Sequence, residues 1–530
     1  MKILITTFLF FCTINLYAQS GIGLLDSTFA VNGILTDSFT RTHTNYFEKV
    51  LPGGSGRLLA IGDTAWGAVY ASTFIRRYKP DGSIDASFGS AGISYINVDT
   101  VTFTADAALQ SDGKIVMVGH AGVIANKLLV LRAKPDGSLD STFGTNGHVF
   151  ITPSPGFRDL YGIKVKIQND NNILVGIQGY DTAYFTDFVV IRLTPTGAID
   201  ATYGKNGFFV RKFIDTAANN LWNMELLQNG KLVLIGDYFA NPAWTVALTR
   251  LNTNGSTDST FGVNGAVKGG FGSNYNFGYS IVEQSDKKLI AGIVADDTAI
   301  HHFTYHDYVL MRLNEDGSPD NSWGQNGLVF TGIQPYDHPL FLDVATTGKL
   351  LLAAQVIDTG AGGGYDYLAA RFKSDGSFDS SFGMNGQSIV QVKASPSYLQ
   401  DMASCIFVDV YNKAMFLGGT ESPGKVNLLK FKLENNIAVS AVSSQHDRTL
   451  FFPNPVTTRG LLQFSLSNDA FTNISMYDIE GRLVDILEPG KLMSKGVYEL
   501  PVDVSKLAPG NYIVIIHTGK EVSSIKLNKY

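Results

Sequence analysis

A short phrase recurs along the chain and limits what it can fold into. It is clearest at Asp136-Gly137-Ser138-Leu139-Asp140-Ser141-Thr142-Phe143-Gly144-Thr145-Asn146-Gly147. Its core is an Asp, two residues, an aromatic, usually a Gly, then two more residues and a Gly. The copies begin at Asp26, Asp85, Asp140, Asp200, Asp258, Asp320 and Asp379 and carry Phe29, Phe88, Phe143, Tyr203, Phe261, Trp323 and Phe382. Successive starts stand 55 to 62 residues apart. Self-similarity at such a period marks a repeat architecture, in which neighbouring units bury one another's apolar faces.

Each part of the phrase has a local physical reading. Asp136-Gly137 and its counterparts supply turn chemistry, because Gly accepts positive φ and Asp or Asn bonds its own backbone, so a strand ends there. The shared Asp suits an N-cap over a single helical turn. The aromatic is expected to bury its ring between neighbouring units. Calcium is the alternative role for these Asp residues, but the phrase lacks the alternating oxygen ligands and distal Glu of an EF-hand loop. No cofactor is otherwise called for, and a structural divalent cation stays the alternative.

The strand pattern reads the same way in every unit. In the third, strands are expected near His148–Thr152, Tyr161–Gln168, Ile173–Ile177 and Asp187–Leu193. Long helical periodicity is absent, and four short strands per unit, seven times over, predict an all-β protein with a seven-bladed β-propeller. The last unit stops at Phe431-Lys432-Leu433 without a phrase, whereas the first phrase stands ahead of any complete unit. A closed ring explains this: the N-terminal copy completes the junction between the last and first blades. Ala30 replaces the usual Gly in that copy.

With 45% hydrophobic residues the chain can bury large cores. A net charge of −6 and no Lys/Arg run argue against nucleic acid and anionic membrane surfaces as partners. Lys2 followed by the apolar run Ile3 to Cys12, with Ala18 before Gln19, predicts a signal peptide over residues 1–18. A lipid anchor at Cys12 is disfavoured by Phe10-Phe11. Cys405 is then the one remaining thiol, expected to be a small core residue, and no transmembrane segment is expected in the mature chain.

The phrase and its spacing resemble the delta-60 repeat of bacterial secreted proteins over residues 21–435. The resemblance implies a propeller-like repeat and brings no catalytic residues with it. Residues 19–435 form the predicted propeller and 436–449 a polar linker. Residues 450–530 alternate strands with Pro/Gly turns, the pattern of a small β-sandwich. There Pro453-Asn454-Pro455, Asp478 with Gly481-Arg482, Pro509-Gly510 with Tyr512, and a basic end resemble the type A C-terminal sorting domain of the type IX secretion system of Bacteroidetes. This implies the type IX machinery as partner and a secreted or cell-surface address beyond the outer membrane.

Strand parity puts all the phrase turns at one end of the propeller. The other end collects loops of varied length, where function commonly sits. Trp66, Tyr70, Tyr180, Tyr184, Trp244 and Tyr305 in or beside these loops are the candidate ligand-binding residues, suited to stacking on sugars. Asp-Thr recurs at Asp63, Asp181, Asp297 and Asp358, expected as Asx-turns. His301, His302 and His306 are weak metal candidates without a zinc spacing. No nucleophile elbow, Walker loop or zinc-protease motif is present. The expectation is a binding module for a glycan or other surface polymer, with a secreted hydrolase or lyase and a structural or adhesion protein as alternatives. Converging ionisable groups at the channel mouth would favour the enzyme, and an aromatic face without them would favour binding.

Overall fold

The protein was examined as a computed structural model, which describes residues 22–37, 44–66, 70–122, 127–152, 156–269, 275–296, 306–333, 339–345, 347–357, 365–392, 401–409, 414–421, 425–433, 450–452, 456–466, 468–478, 483–518 and 521–529. The proposed signal peptide and linker lie outside these. All regular structure among the described residues is β, and the chain divides into two units, Met1–Glu434 and Asn435–Tyr530.

The first unit holds seven four-stranded antiparallel sheets among the described residues. The third is typical: Phe157–Ile167, Ile173–Asp181 and Thr186–Leu193 form a meander, and Phe208–Arg211 adds as the outer strand. The sequence unit and the sheet are therefore offset by one strand, because the strand after each phrase pairs with the sheet before it. The inner strands pack in chain order, and the last, Asp401–Asp409, returns to the first, Thr44–Pro52. This is a closed β-propeller, and closure leaves few unpaired edges. Apolar cores lie between successive sheets: Leu59, Ile61 and Ile75 of the first meet Met117, Leu129 and Leu131 of the second.

Ring closure uses the N-terminal segment. Ile34–Asp37 pairs with Lys425–Lys432 as the outer strand of the last sheet, with Ile34 opposite Leu429. The Gly23 and Asp26 N–H groups donate to Lys432 O and Lys430 O, both at 2.7 Å. Phe29 is fully buried in a core shared by the last and first sheets, with Phe416, Phe47 and Phe74.

The phrase is a joint between blades. Each shared Asp accepts the N–H and hydroxyl of the residue two positions on, as Asp140 Oδ1 does from Thr142 at 3.2 and 2.7 Å. No helical turn forms. The Phe143 N–H donates to Asp140 O and the Gly147 N–H to Phe143 O, so two successive turns do the work expected of a capped helix.

In six of the seven phrases the other Asp oxygen meets an arginine eight residues earlier on the third strand. Arg132 Nε lies 2.9 Å from Asp140 Oδ2, and Arg250 Nε lies 2.6 Å from Asp258 Oδ2. The same guanidinium covers the phrase ring, 4.6 Å from the Phe143 and Phe261 centroids. It also donates to a carbonyl in the next phrase, Pro195 O for Arg132 and Glu315 O for Arg250. One planar cation thus ties a carboxylate, a ring and the neighbouring turn, a use that exploits its fixed fork of donors.

All seven phrase aromatics are buried, and the turn Gly of the following phrase lies against each ring. Gly137 has φ +89°, and a Cβ there would come within 2.5 Å of Phe88. Only Gly satisfies both conditions. At the seam Gly23 takes this place over Phe382.

The second unit has two sheets. One orders Leu450–Phe452, Arg459–Leu466 and Gly496–Asp503, and the other Leu483–Met493, Ala470–Asp478, Gly510–Thr518 and Glu521–Lys529. Leu462 and Phe464 of the first share a core with Ile474, Met476, Val514 and Ile516 of the second. Tyr512 is buried there and donates to Ala508 O at 2.8 Å, which explains its place after Pro509-Gly510. Asp478 ends a strand opposite Tyr512. Pro453, Asn454, Pro455, Gly481 and Arg482 lie outside the described residues.

Candidate functional site

Two ends of the propeller follow from the pairing. In each blade the turn from first to second strand and the phrase from third to fourth share one end. The second-to-third hairpins and the links into the next inner strand share the other. The third blade shows the contrast: Asn169–Asn172 turns tightly at the phrase end, while residues 182–185 cap the opposite hairpin.

At that opposite end, rings assemble along the fourth and fifth blades. Trp244, on the hairpin joining Leu232–Ala240 to Ala243–Leu251, lies 5.2 Å from Phe239 and 5.6 Å from Phe277. Phe277 is 6.2 Å from Tyr279, which is 5.3 Å from Trp222. Phe277 and Tyr279 belong to the inner strand Asn276–Glu283, so the run descends from a loop onto the channel wall. Tyr275, half exposed, flanks it 6.4 Å from Phe277 and 6.0 Å from His306. Trp222 Nε1 donates to the buried Asp237 at 2.5 Å, which fixes the indole. Burial pushes the Asp237 carboxyl up to about 7, against the hydrogen bonds from Asn220 and Trp222.

Of the residues singled out from sequence, Trp244 belongs to this run. Tyr180 and Tyr184 lie on the third blade. Tyr180 packs 5.4 Å from Tyr161, which in turn meets His120 at 4.8 Å, and burial lowers His120 to about 4. Tyr184 is exposed and carries the Arg158 guanidinium over its ring at 4.2 Å. Trp66 and Tyr70 are backbone partners at the end of the first blade's hairpin. Tyr305, His301 and His302 lie outside the described residues. Phe277, Tyr279 and Phe239 were not singled out, because in sequence they read as ordinary strand aromatics.

The Asp-Thr sites divide. Asp181 does form the turn, accepting from the Ala183 and Phe185 N–H groups at 2.8 and 3.0 Å. Asp63 instead sits within a strand and links blades, accepting from Thr73 Oγ1 at 3.0 Å and from the Thr104 N–H at 2.9 Å. Asp297 and Asp358 lie outside the described residues. Among the described residues no three His, Cys, Asp or Glu side chains are grouped to hold a metal ion.

The ring encloses a channel that all seven inner strands line, with a cavity of ≈ 390 Å³. A β-bulge interrupts six of these strands at matching positions, and the residue just after it is Lys49, Asp106, Lys164, Asn223, Ser280 or Cys405. Bulges re-aim side chains, and here they bring polar groups from five blades and the Cys405 thiol from a sixth to one level of the cavity. Glu48, Lys166, Glu225 and Asp343 join them. Lys49 Nζ lies 3.2 Å from Asp106 Oδ1, and Lys166 Nζ lies 2.5 Å from Glu225 Oε2. Burial raises Glu48 to about 8, with Lys164 opposing and Asp106 adding to the rise. Burial likewise raises Asp343 to about 6 and Cys405, which also faces this cavity, to about 11. Neither arm expected from sequence is met in full: an aromatic run stands at the loop end, but ionisable groups converge as well, and deeper in the channel than its mouth.

Residues 54–88, 110–143, 168–203, 227–261 and 346–382 match the DUF5122 beta-propeller domain of unknown function. Residues 450–529 match the secretion system C-terminal sorting domain. No curated protein matches the sequence. Among solved structures, the chain is similar to an ulvan lyase from a new family of polysaccharide lyase, bound to -[GlcA(1-4)Rha3S]-. That likeness has 12% identity and a TM-score of 0.43, over 78% of this chain and 96% of the other. A Dyadobacter fermentans protein of unknown function is 12% identical over 76% of this chain and 98% of its own, with a TM-score of 0.39. The α-L-arabinanase of Penicillium chrysogenum is 10% identical over 62% and 92%, with a TM-score of 0.37.

Proposed function

From a chain that carries DUF5122 beta-propeller repeats and a secretion-system sorting domain, we propose a glycan-binding propeller that the type IX secretion machinery exports to the cell surface or medium. The observation that carries it is the run of rings from Phe239 through Trp244 and Phe277 to Tyr279 and Trp222. Such rings present apolar faces of the width of a pyranose ring on a rigid β-scaffold, and ligand sites combine aromatic walls with a few placed polar groups. A glycan-array screen of the full chain tests the reading. Specific retention of one glycan class supports it, and an empty array sinks it. The address is tested in the native host by deleting residues 450–530, which should keep a folded propeller inside the envelope.

A catalytic reading, hydrolase or lyase, draws on the ionisable groups converging in the channel, since shifted acids and bases in a cavity mark many active sites. Incubation with any retained glycan distinguishes the two. New reducing ends or unsaturated products favour the enzyme, and an unchanged chain length favours binding.

A further inference from the structure

The channel holds an ionic arrangement that its own pairing does not complete. Lys49 is matched with Asp106 and Lys166 with Glu225. Asp106 Oδ2 accepts from the Val165 N–H at 3.0 Å. Asp343 accepts from the Val344 and Val408 N–H groups at 2.7 and 3.1 Å. Two groups are left. The Lys164 ammonium and the Glu48 carboxyl both line the cavity, half-buried, and neither side chain has a hydrogen-bond or ion-pair partner among the described residues.

A half-buried cation without a partner is costly, and such groups are usually paired or hydrogen-bonded. The cost falls on a site that six bulged strands build in common. We propose that Lys164 anchors the carboxylate of a hydroxylated monocarboxylate, of the size of one sugar acid, bound inside the channel. The cavity of ≈ 390 Å³ lies within the about 300–1,000 Å³ range of small-molecule sites. A dianion such as phosphate fits less well, because Asp106, Glu225 and Asp343 line the same space. A single negative charge with neutral hydroxyls matches one free ammonium beside Asn223, Ser280 and Glu48. The electrostatics agree with that assignment. Burial lowers the Lys164 ammonium, with Asp106 and Glu48 opposing and Lys49 and Lys166 reinforcing the fall. A bound carboxylate would reverse it. Glu48, raised to about 8, is a hydrogen-bond donor at neutral pH, suited to a hydroxyl oxygen.

This site is separate from the rings at the loop end and does not depend on their reading. The test is calorimetric titration of the full chain with sodium D-glucuronate, with D-glucose as the uncharged comparison. Glucuronate should bind and glucose should not. Lys164→Met should weaken glucuronate binding at least tenfold, and Lys164→Arg should retain most of it. Thermal melts establish that each variant is folded, and Lys212→Met, outside the cavity, serves as the matched loss of charge. No glucuronate binding by the unaltered chain, equal binding of glucose, or full binding by Lys164→Met overturns the proposal.

Discussion

Lys430 Nζ lies 3.0 Å from Asp26 Oδ2, joining the last blade of the propeller to its first phrase. The other six phrases use arginine at this place, as in Arg77–Asp85 and Arg371–Asp379. Lys430 also stands over the Phe29 ring at 5.8 Å, so the seam repeats the joint used around the ring. Closure therefore rests on residues 22–37. Deleting them removes an outer strand and a buried plug together, and should lower the midpoint of thermal unfolding sharply. Phe29→Ala alone should cost about 3–5 kcal/mol. An unchanged melt in either variant would count against closure.

The seam also carries a local imperfection. Ala30 sits at φ +44° where the other copies place a Gly, such as Gly144 at φ +52°. A side chain in this region costs about 1–2 kcal/mol. Ala30→Gly should raise the melting midpoint, and a lower midpoint would show that the strain is relieved some other way.

Arg250 and Asp258 are both buried, so the joint is exposed to losing one partner. Arg250→Ala should cost about 3 kcal/mol, while Arg250→Lys, which copies Lys430 at the seam, should cost less. Burial alone would raise the Asp258 carboxyl, but Lys231, Thr260 and Arg250 reverse this and hold it well below the usual carboxylate range. A carboxyl lowered on folding stabilises above its unfolded value, about 3.9, and that share is lost as pH falls further. Chemical denaturation of Arg250→Ala should thus show a shallower acid decline than the unaltered chain. Equal acid slopes would remove this account of the pair.

Glu48 works in the opposite sense. Its carboxyl is raised on folding to about 8, so the stability linked to its proton is complete below about 4.3 and lost as pH rises through 8. Glu48→Gln cannot lose that proton. Between about pH 5 and 8 the melting midpoint should fall less in Glu48→Gln than in the unaltered chain, a comparison that cancels Asp237 and Asp343. Parallel curves would mean that Glu48 ionises freely in the channel.

The parts of the fold legible in sequence are those carried by local chemistry. Asp140, Phe143 and Gly147 act within one turn, so their repetition shows directly, and the early phrase without a unit pointed to the seam. The arginine eight residues before six of the seven Asp residues also repeats, but its role appears only when the third strand lies against its own phrase. The channel was hidden for a different reason. Bulges break the alternation from which inward and outward faces are read, and Lys49, Asp106 and Lys164 meet only because three separate blades carry the bulge at one level. The ring run was half visible. Trp244 stands in a variable loop, but Phe277 and Tyr279 come to it from the next blade.

The central claim is that the loop end binds a glycan through Trp244 with Phe239 and Phe277, rings that belong to none of the blade cores. Calorimetric titration of the glycan retained on the array, against Trp244→Ala and Phe143→Ala with melts in parallel, tests it most directly. The account predicts that Trp244→Ala weakens binding at least tenfold with an unchanged melt, and that Phe143→Ala, a buried phrase plug, loses about 3–5 kcal/mol of stability while its folded fraction still binds. Normal binding by Trp244→Ala, or a loss of binding that tracks unfolding, would contradict it.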